Sequence, residues 1–171
     1  GTSSAAFNPA SLRLLSEGKP KLVILAGHYS GSKTGVALEN LVALVTRSGS
    51  KCLIIEQPPM MPFGDRNAPA MAVEIARKSP ARKDRIDLPL GEPEKWRRGR
   101  AIIDAAVTKH PSASVLEIAD LYLSGPAEVC LMRDCQIRYI DDDHLSELGA
   151  MLARERLSEK IRKLLAQPPR P

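Results

Sequence analysis

The chain has 171 residues, 43% of them hydrophobic, which suffices for one domain with a core and excludes a peptide hormone, a coiled-coil rod and a long disordered tail. No run approaches the ~18 apolar residues of a membrane span, and no secretory apolar segment opens the sequence. Its 25 basic and 20 acidic residues leave a net charge of +5, and with 4% aromatics and one Trp there is no stacking platform, so nucleic acid is not expected as a partner.

Gly1-Thr2-Ser3-Ser4 reads as a cloning remnant, and residues 1–19 as a linker in which Leu12, Leu14 and Leu15 suggest a helical turn. Lys21 to Ala26 is a short, β-branched apolar run between Pro20 and Gly27, the pattern of a strand buried on both faces. Gly27 to Gly35 is a loop, and Val36 to Arg47 has helical apolar spacing that stops at Ser48-Gly49. Cys52 to Glu56 is a second buried strand, after which Gln57 to Pro62 forbids regular structure. A helix is expected over 68–78, irregular chain from Ser79 to Pro93, and an amphipathic helix from Trp96 to Lys109 with Ile102, Ile103, Ala106 and Val107 inward. Ser114 to Ile118 is a third strand. A loop follows, then one long helix from Ser146 to Leu165 with Leu148, Leu152, Leu157, Ile161 and Leu164 on one side, and residues 166–171 form a tail.

Buried strands alternating with helices predict an α/β fold with parallel strands. Ligands in such sheets bind beyond the carboxyl ends of the strands, which directs attention to loops 27–35, 57–67 and 119–144. Three strands are few for this much helix. An apolar strand at 21–26 makes a poor free edge, so a strand is expected to be missing on that side.

The sharpest feature is Asp141-Asp142-Asp143-His144-Leu145-Ser146 at the start of the last helix. A carboxylate three residues before a His can fold back in a turn and accept a hydrogen bond from Nδ1–H, fixing the tautomer and leaving Nε2 as a base. Ser146 suits an N-cap. Two blander readings stand beside this one. The acidic run complements the helix dipole with His144 incidental, or three carboxylates attract a cation, although the EF-hand ligand pattern and its Gly are absent. No metal is expected. Of the three cysteines, Cys130 and Cys135 lie close together: either a small disulfide loop in an oxidising compartment or two unrelated thiols. Cys-x4-Cys lacks the second pair a zinc site needs. Cys52, inside a strand, reads as a buried thiol.

Asp141-x-x-His144-Leu145-Ser146-x-x-Gly149-Ala150 resembles the last block of SGNH-type serine esterases. More closely, it resembles the extracytoplasmic SGNH domain fused behind the membrane acyltransferase-3 domain of bacterial polysaccharide O-acetyltransferases. There a Tyr-x-Asp-Asp-x-His-Leu-Ser string follows a short cysteine pair, and Cys130, Cys135, Tyr139, Asp141, His144, Leu145 and Ser146 fall in that order. Pro20 to Ser30 and Gly49 to Pro59 are similar to two of the family's strand-and-loop blocks, the first with Tyr29 where the family often has Trp. The resemblance covers roughly residues 20–60 and 112–165.

It implies a flavodoxin-like three-layer sheet over residues 20–165 that lacks its first strand. It also implies His144 as general base, Asp141 as the residue that orients it, and a Cys130–Cys135 disulfide bracing their loop, worth about 2 kcal/mol. The family's nucleophile sits in a Gly-Asp-Ser block after its first strand, and no such block occurs here. Gly64-Asp65-Arg66 lies in the wrong loop and lacks the Ser. The Gly-x-Asn-Asp block is absent as well, as is common in acyltransferase-linked members. The simplest account puts the serine on an upstream segment; the competing one is a degenerate, inactive domain.

Within the chain, Ser30 and Ser32 lack the nucleophile elbow, and Gly31 to Gly35 lacks the glycine a P-loop places before its Lys. Loop 27–35, with Gly27, Tyr29 and Ser30, is therefore expected to line the site, Tyr29 as wall or donor. His28 is expected to be bonded locally and His110 to be structural. The basic cluster from Arg77 to Arg100 reads as a solvated loop as readily as a face for anionic glycolipid.

The resemblance thus implies a Ser-His-Asp O-acyltransferase that moves an acyl group to a glycan hydroxyl on lipopolysaccharide, peptidoglycan or another polysaccharide. No cofactor is bound, and the acyl group arrives from acyl-CoA through a membrane acyltransferase domain of the same protein. The setting is periplasmic, tethered to the inner membrane. A secreted esterase and a non-catalytic binding module are the alternatives.

Overall fold

The computed structural model describes residues 9–31, 33–64, 66–82 and 84–168. The chain divides into two compact units. The first takes Gly1–Glu56, Arg98–Leu116 and Ser158–Pro171.

Its centre is β2 (Lys51–Ile55), where Cys52, Leu53 and Ile54 are fully buried. Apolar side chains on both faces suit a strand flanked by neighbours, and β2 pairs in parallel with β1 (Leu22–Leu25) on one side and β4 (Ala113–Leu116) on the other. Cys52 and Ile54 join a core with Leu15 of α1 (Pro9–Gly18), Leu38, Val42 and Val45 of α2 (Thr34–Arg47), and Ile103 and Ala106 of α4 (Pro93–Lys109). The α2 and α4 positions follow the helical spacing of the sequence. The stretch expected as a linker thus carries α1, whose Leu15 is buried.

β1 differs from the strand expected at 21–26. It lies at the sheet edge, and Ile24 is 41% exposed. An apolar groove of about 670 Å³ runs along it, lined by Leu14, Pro20, Val23, Ile24 and Leu41 among others.

The second unit takes Gln57–Arg97 and Glu117–Leu157 and holds an antiparallel sheet that the sequence reading did not resolve. β3 (Arg85–Pro89) pairs with β6 (Glu128–Arg133), which also pairs with β5 (Leu123–Gly125) and β7 (Gln136–Ile137). β3 lies in the stretch expected to be irregular. It alternates exposed Arg85 with buried Ile86, and its Pro89 is tolerated at the strand's end. β6 lies in the expected cysteine loop, with Val129 to Met132 all buried. α3 (Ala68–Lys78) matches its expected span, started by Asn67, whose side chain accepts from Ala70 N at 2.8 Å.

The expected long C-terminal helix is two helices, α5 (Glu147–Met151) and α6 (Arg154–Ala166). Leu152 N and Ala153 N bond to Gly149 O and Ala150 O, a tightened i→i+3 turn that ends α5. Leu148 and Leu152 are consequently exposed (50% and 39%) rather than inward. Arg156 anchors the start of α6, bonding Asp120 through both guanidinium nitrogens at 2.6 and 2.8 Å. Among the described residues, no helix is long and apolar enough to cross a membrane.

Candidate active site

The loop from Arg138 to Ser146 closes on itself through its backbone. Ser146 N bonds Arg138 O at 2.9 Å, Ile140 N bonds His144 O at 2.8 Å, and Tyr139 and Leu145 form an antiparallel bridge. The three aspartates occupy the tip. Asp141 Oδ1 accepts from Asp143 N at 3.1 Å and from His144 N at 2.8 Å, so the carboxylate organises the turn that follows it. The same turn brings His144 Nδ1 to 3.0 Å from both Asp141 oxygens. This is the chemical reason for the three-residue spacing: one carboxylate satisfies two backbone amides and orients the ring. With the proton on Nδ1, Nε2 is left as acceptor.

The electrostatics follow. The Asp141 hydrogen bond, then the charges of Asp143 and Asp141, hold the His144 pKa above the ordinary imidazole value. Burial pushes the Asp141 carboxyl up, but the His144 and Asp143 amides and the imidazole together hold it below the usual carboxylate value. Asp141, Asp143 and His144 present donor atoms within 4.8 Å of one another.

Both feet of the loop are fixed by residues that the motif alone does not explain. Tyr139 is fully buried and its hydroxyl donates to Pro59 O at 2.8 Å. Tyr122 lies edge-on to it, ring centres 6.0 Å apart, and donates to Gly149 O at 3.0 Å. Burial raises the Tyr122 pKa to about 12 and that of Tyr139 well above the ordinary phenol value, so both stay neutral donors. Ser146 accepts from Gly149 N at 2.9 Å as N-cap of α5 and donates to Ile137 O at 2.6 Å. A side chain at Gly149 would put its Cβ 2.0 Å from Arg138 O. The His-Leu-Ser-x-x-Gly string is thus the packing specification of the loop's exit. Met61 N to Asp142 O (2.7 Å) and Ala68 N to Ile140 O (2.8 Å) tie the loop to the 57–68 segment.

Asp141 and His144 are therefore brought together as the sequence suggests. The expected lining residues Gly27, Tyr29 and Ser30 belong to the first unit. Tyr29 is a core residue, 5% exposed, and its hydroxyl donates to Leu25 O at 3.0 Å. Ser30 is buried with its Oγ 3.2 Å from His28 Nδ1, the local bonding expected of His28, while Gly27 is exposed. Ser32 and Asp65 lie outside the described residues.

The expected Cys130–Cys135 disulfide is absent: both residues are thiols, Cys130 buried in β6 and Cys135 exposed, its Sγ donating to Asp84 Oδ1 at 3.6 Å. Asp134 and Cys135 form the two-residue turn, both at positive φ, between the paired Arg133 and Gln136. Cys130 lies four residues down the strand from the first residue of that turn, about 13 Å at a strand's rise, beyond the ~7 Å Cα reach of a disulfide. Cys130 donates to Met132 O at 3.4 Å, and burial raises its pKa above the ordinary thiol value. Cys52 is likewise a buried thiol, pushed up to about 11 by burial.

Compared with known protein families, residues 1–159 match the family described as the SGNH domain fused to AT3 domains. The chain belongs to this SGNH family. Its mixed α/β architecture, parallel three-stranded sheet included, fits that membership. No curated protein matches the chain. As an SGNH domain of the AT3-fused kind, it is an acyltransferase-associated module with an esterase/acyltransferase-type fold.

Proposed function

We propose that this SGNH domain supplies the His–Asp part of a Ser-His-Asp O-acyltransferase acting on a cell-surface glycan. The observation that carries the reading is the Asp141 carboxylate fixed by two backbone amides and set 3.0 Å from His144 Nδ1. The serine belongs to a segment outside these residues. Among the described residues no strand pairs with the outer edge of β1, and this edge and the apolar groove beside it support a further strand of the same domain there.

In the reaction, His144 Nε2 takes the proton from the serine hydroxyl as its oxygen attacks the acyl carbonyl, and the donor's leaving group departs with that proton. A glycan hydroxyl then attacks the acyl-serine, giving its proton to Nε2, and the serine oxygen leaves as the hydroxyl. Asp141 holds the ring and stabilises the imidazolium at each stage. Membership in a family fused to AT3 domains supports a donor delivered through a membrane acyltransferase domain of the same protein, from acyl-CoA, and an extracytoplasmic, membrane-tethered setting.

The test is acyl transfer to purified glycan by the complete protein. His144→Ala is expected to abolish transfer while leaving the melting temperature within a few degrees of wild type. Normal transfer by that variant overturns the assignment. One observation favours hydrolysis as a second reading: the His144 side chain is 72% exposed, so water reaches the base. Free acid rather than acylated glycan as the main product at saturating acceptor selects the esterase.

A further inference from the structure

Asp143 occupies the position that the Tyr-x-Asp-Asp-x-His pattern leaves open, and the geometry gives it a role. Its Oδ1 lies 2.8 Å from His144 Nδ1, nearer than either Asp141 oxygen at 3.0 Å. The Asp141 oxygens hydrogen-bond to that nitrogen, and Asp143 sets a third carboxylate oxygen beside it as an ion-pair partner. The two aspartates are also built differently. Asp141 Oδ1 is engaged by backbone amides as well, whereas the Asp143 amide is itself one of the donors to Asp141. The turn that Asp141 organises thus delivers the Asp143 carboxylate to the ring. Both carboxylates are partly buried, at 29% and 25% exposure, which strengthens their hold on a charged imidazole relative to fully solvated groups.

We infer that Asp143 is a second positioning residue for His144, its carboxylate held beside Nδ1 so that its charge adds to the hydrogen bond made with Asp141. As a role in catalysis this rests on the reading of His144 as base, but the pairing of the ring with both carboxylates is a property of the folded chain. Two consequences follow. Orientation is redundant: in a triad with one orienting carboxylate, its conversion to amide costs ~10⁴-fold in turnover. Here Asp143 retains part of that hold when Asp141 is changed. The imidazolium is also favoured beyond what one partner achieves, which moves the appearance of the free base to higher pH. Among the described residues, the charged groups acting on the ring are Asp141, Asp142 and Asp143 of its own loop.

The experiment is an NMR titration of His144 in this chain as wild type, Asp141→Asn, Asp143→Asn and the double variant. Asp143→Asn is expected to weaken His144 protonation about threefold or more, and the double variant to weaken it beyond either single change. Asp143→Ser serves as a second variant that removes the charge without an amide. Wild-type titration of His144 in both Asp143 variants overturns the inference and leaves Asp141 as sole partner. In the complete enzyme, Asp141→Asn is expected to lose clearly less than ~10⁴-fold, and the double variant more. A single Asp141→Asn loss equal to that of the double variant also contradicts it. Failure of the complete enzyme to transfer acyl groups would sink the functional reading while leaving the titration result standing.

Discussion

His144 and Asp141 stabilise their loop in opposite pH directions. Asp141 is held below its ordinary value, so its contribution is present above the unfolded carboxyl pKa of ~3.9 and is lost as pH falls through the depressed folded value. His144 is held above its ordinary value, so its contribution is complete below the unfolded imidazole pKa of ~6.5 and is lost as pH rises through the raised folded value. The loop is accordingly firmest between about pH 4 and 6.5. The effect is modest, because His144 is largely in solvent. Exchange of the Asp143 and His144 amides, corrected for intrinsic pH dependence, should be slowest in that window and faster on either side. A flat corrected rate contradicts the pairing. The proposed reaction has the opposite need: His144 as base must be neutral, so the acid limb of activity is expected above the ordinary imidazole value.

At the scale of elements, the short helix α5 is placed by a backbone-to-backbone approach that leaves no room for a Cβ at Gly149. Gly149→Ala is expected to destabilise by about 3 kcal/mol, since backbone rather than a flexible side chain must yield. Gly27→Ala, whose Cβ meets nothing within 4 Å, is expected to stay within about 0.5 kcal/mol. Equal melting temperatures for the two variants would refute the close approach.

The same elements show what was legible beforehand. β2 could be read because a continuous apolar run flanked by breakers fixes one structure, and the expected helix over 68–78 matches α3, whose Asn67 cap only the structure shows. β3 could not, because its alternation spans five residues hemmed by prolines. Nor could β6: four apolar residues fit a strand, a helix or a buried loop equally, and only pairing with β3 and β5 decides. The long C-terminal helix was overdrawn because its periodicity runs through Leu148 and Leu152, while the turn at Leu152–Ala153 depends on how Gly149 packs. The Asp141–His144 pair was legible because both partners lie within one turn. The Tyr139 bond to Pro59, spanning 80 positions, was not. The cysteines misled because sequence proximity counts in residues, whereas a disulfide is limited by distance along a strand.

At the scale of the whole molecule, the chain passes between its two units at Glu56/Gln57, Arg97/Arg98, Leu116/Glu117 and Leu157/Ser158, and the His–Asp pair belongs to the second. The central claim is that His144 activates a serine carried on another segment of the complete protein. Fluorophosphonate probes label a serine oxygen only when a base activates it, so labelling followed by peptide mapping tests that claim directly. The complete protein is expected to carry label on one serine outside these 171 residues, with labelling lost in His144→Ala. Undiminished labelling in His144→Ala, or label on a serine of this chain such as Ser30, would contradict it.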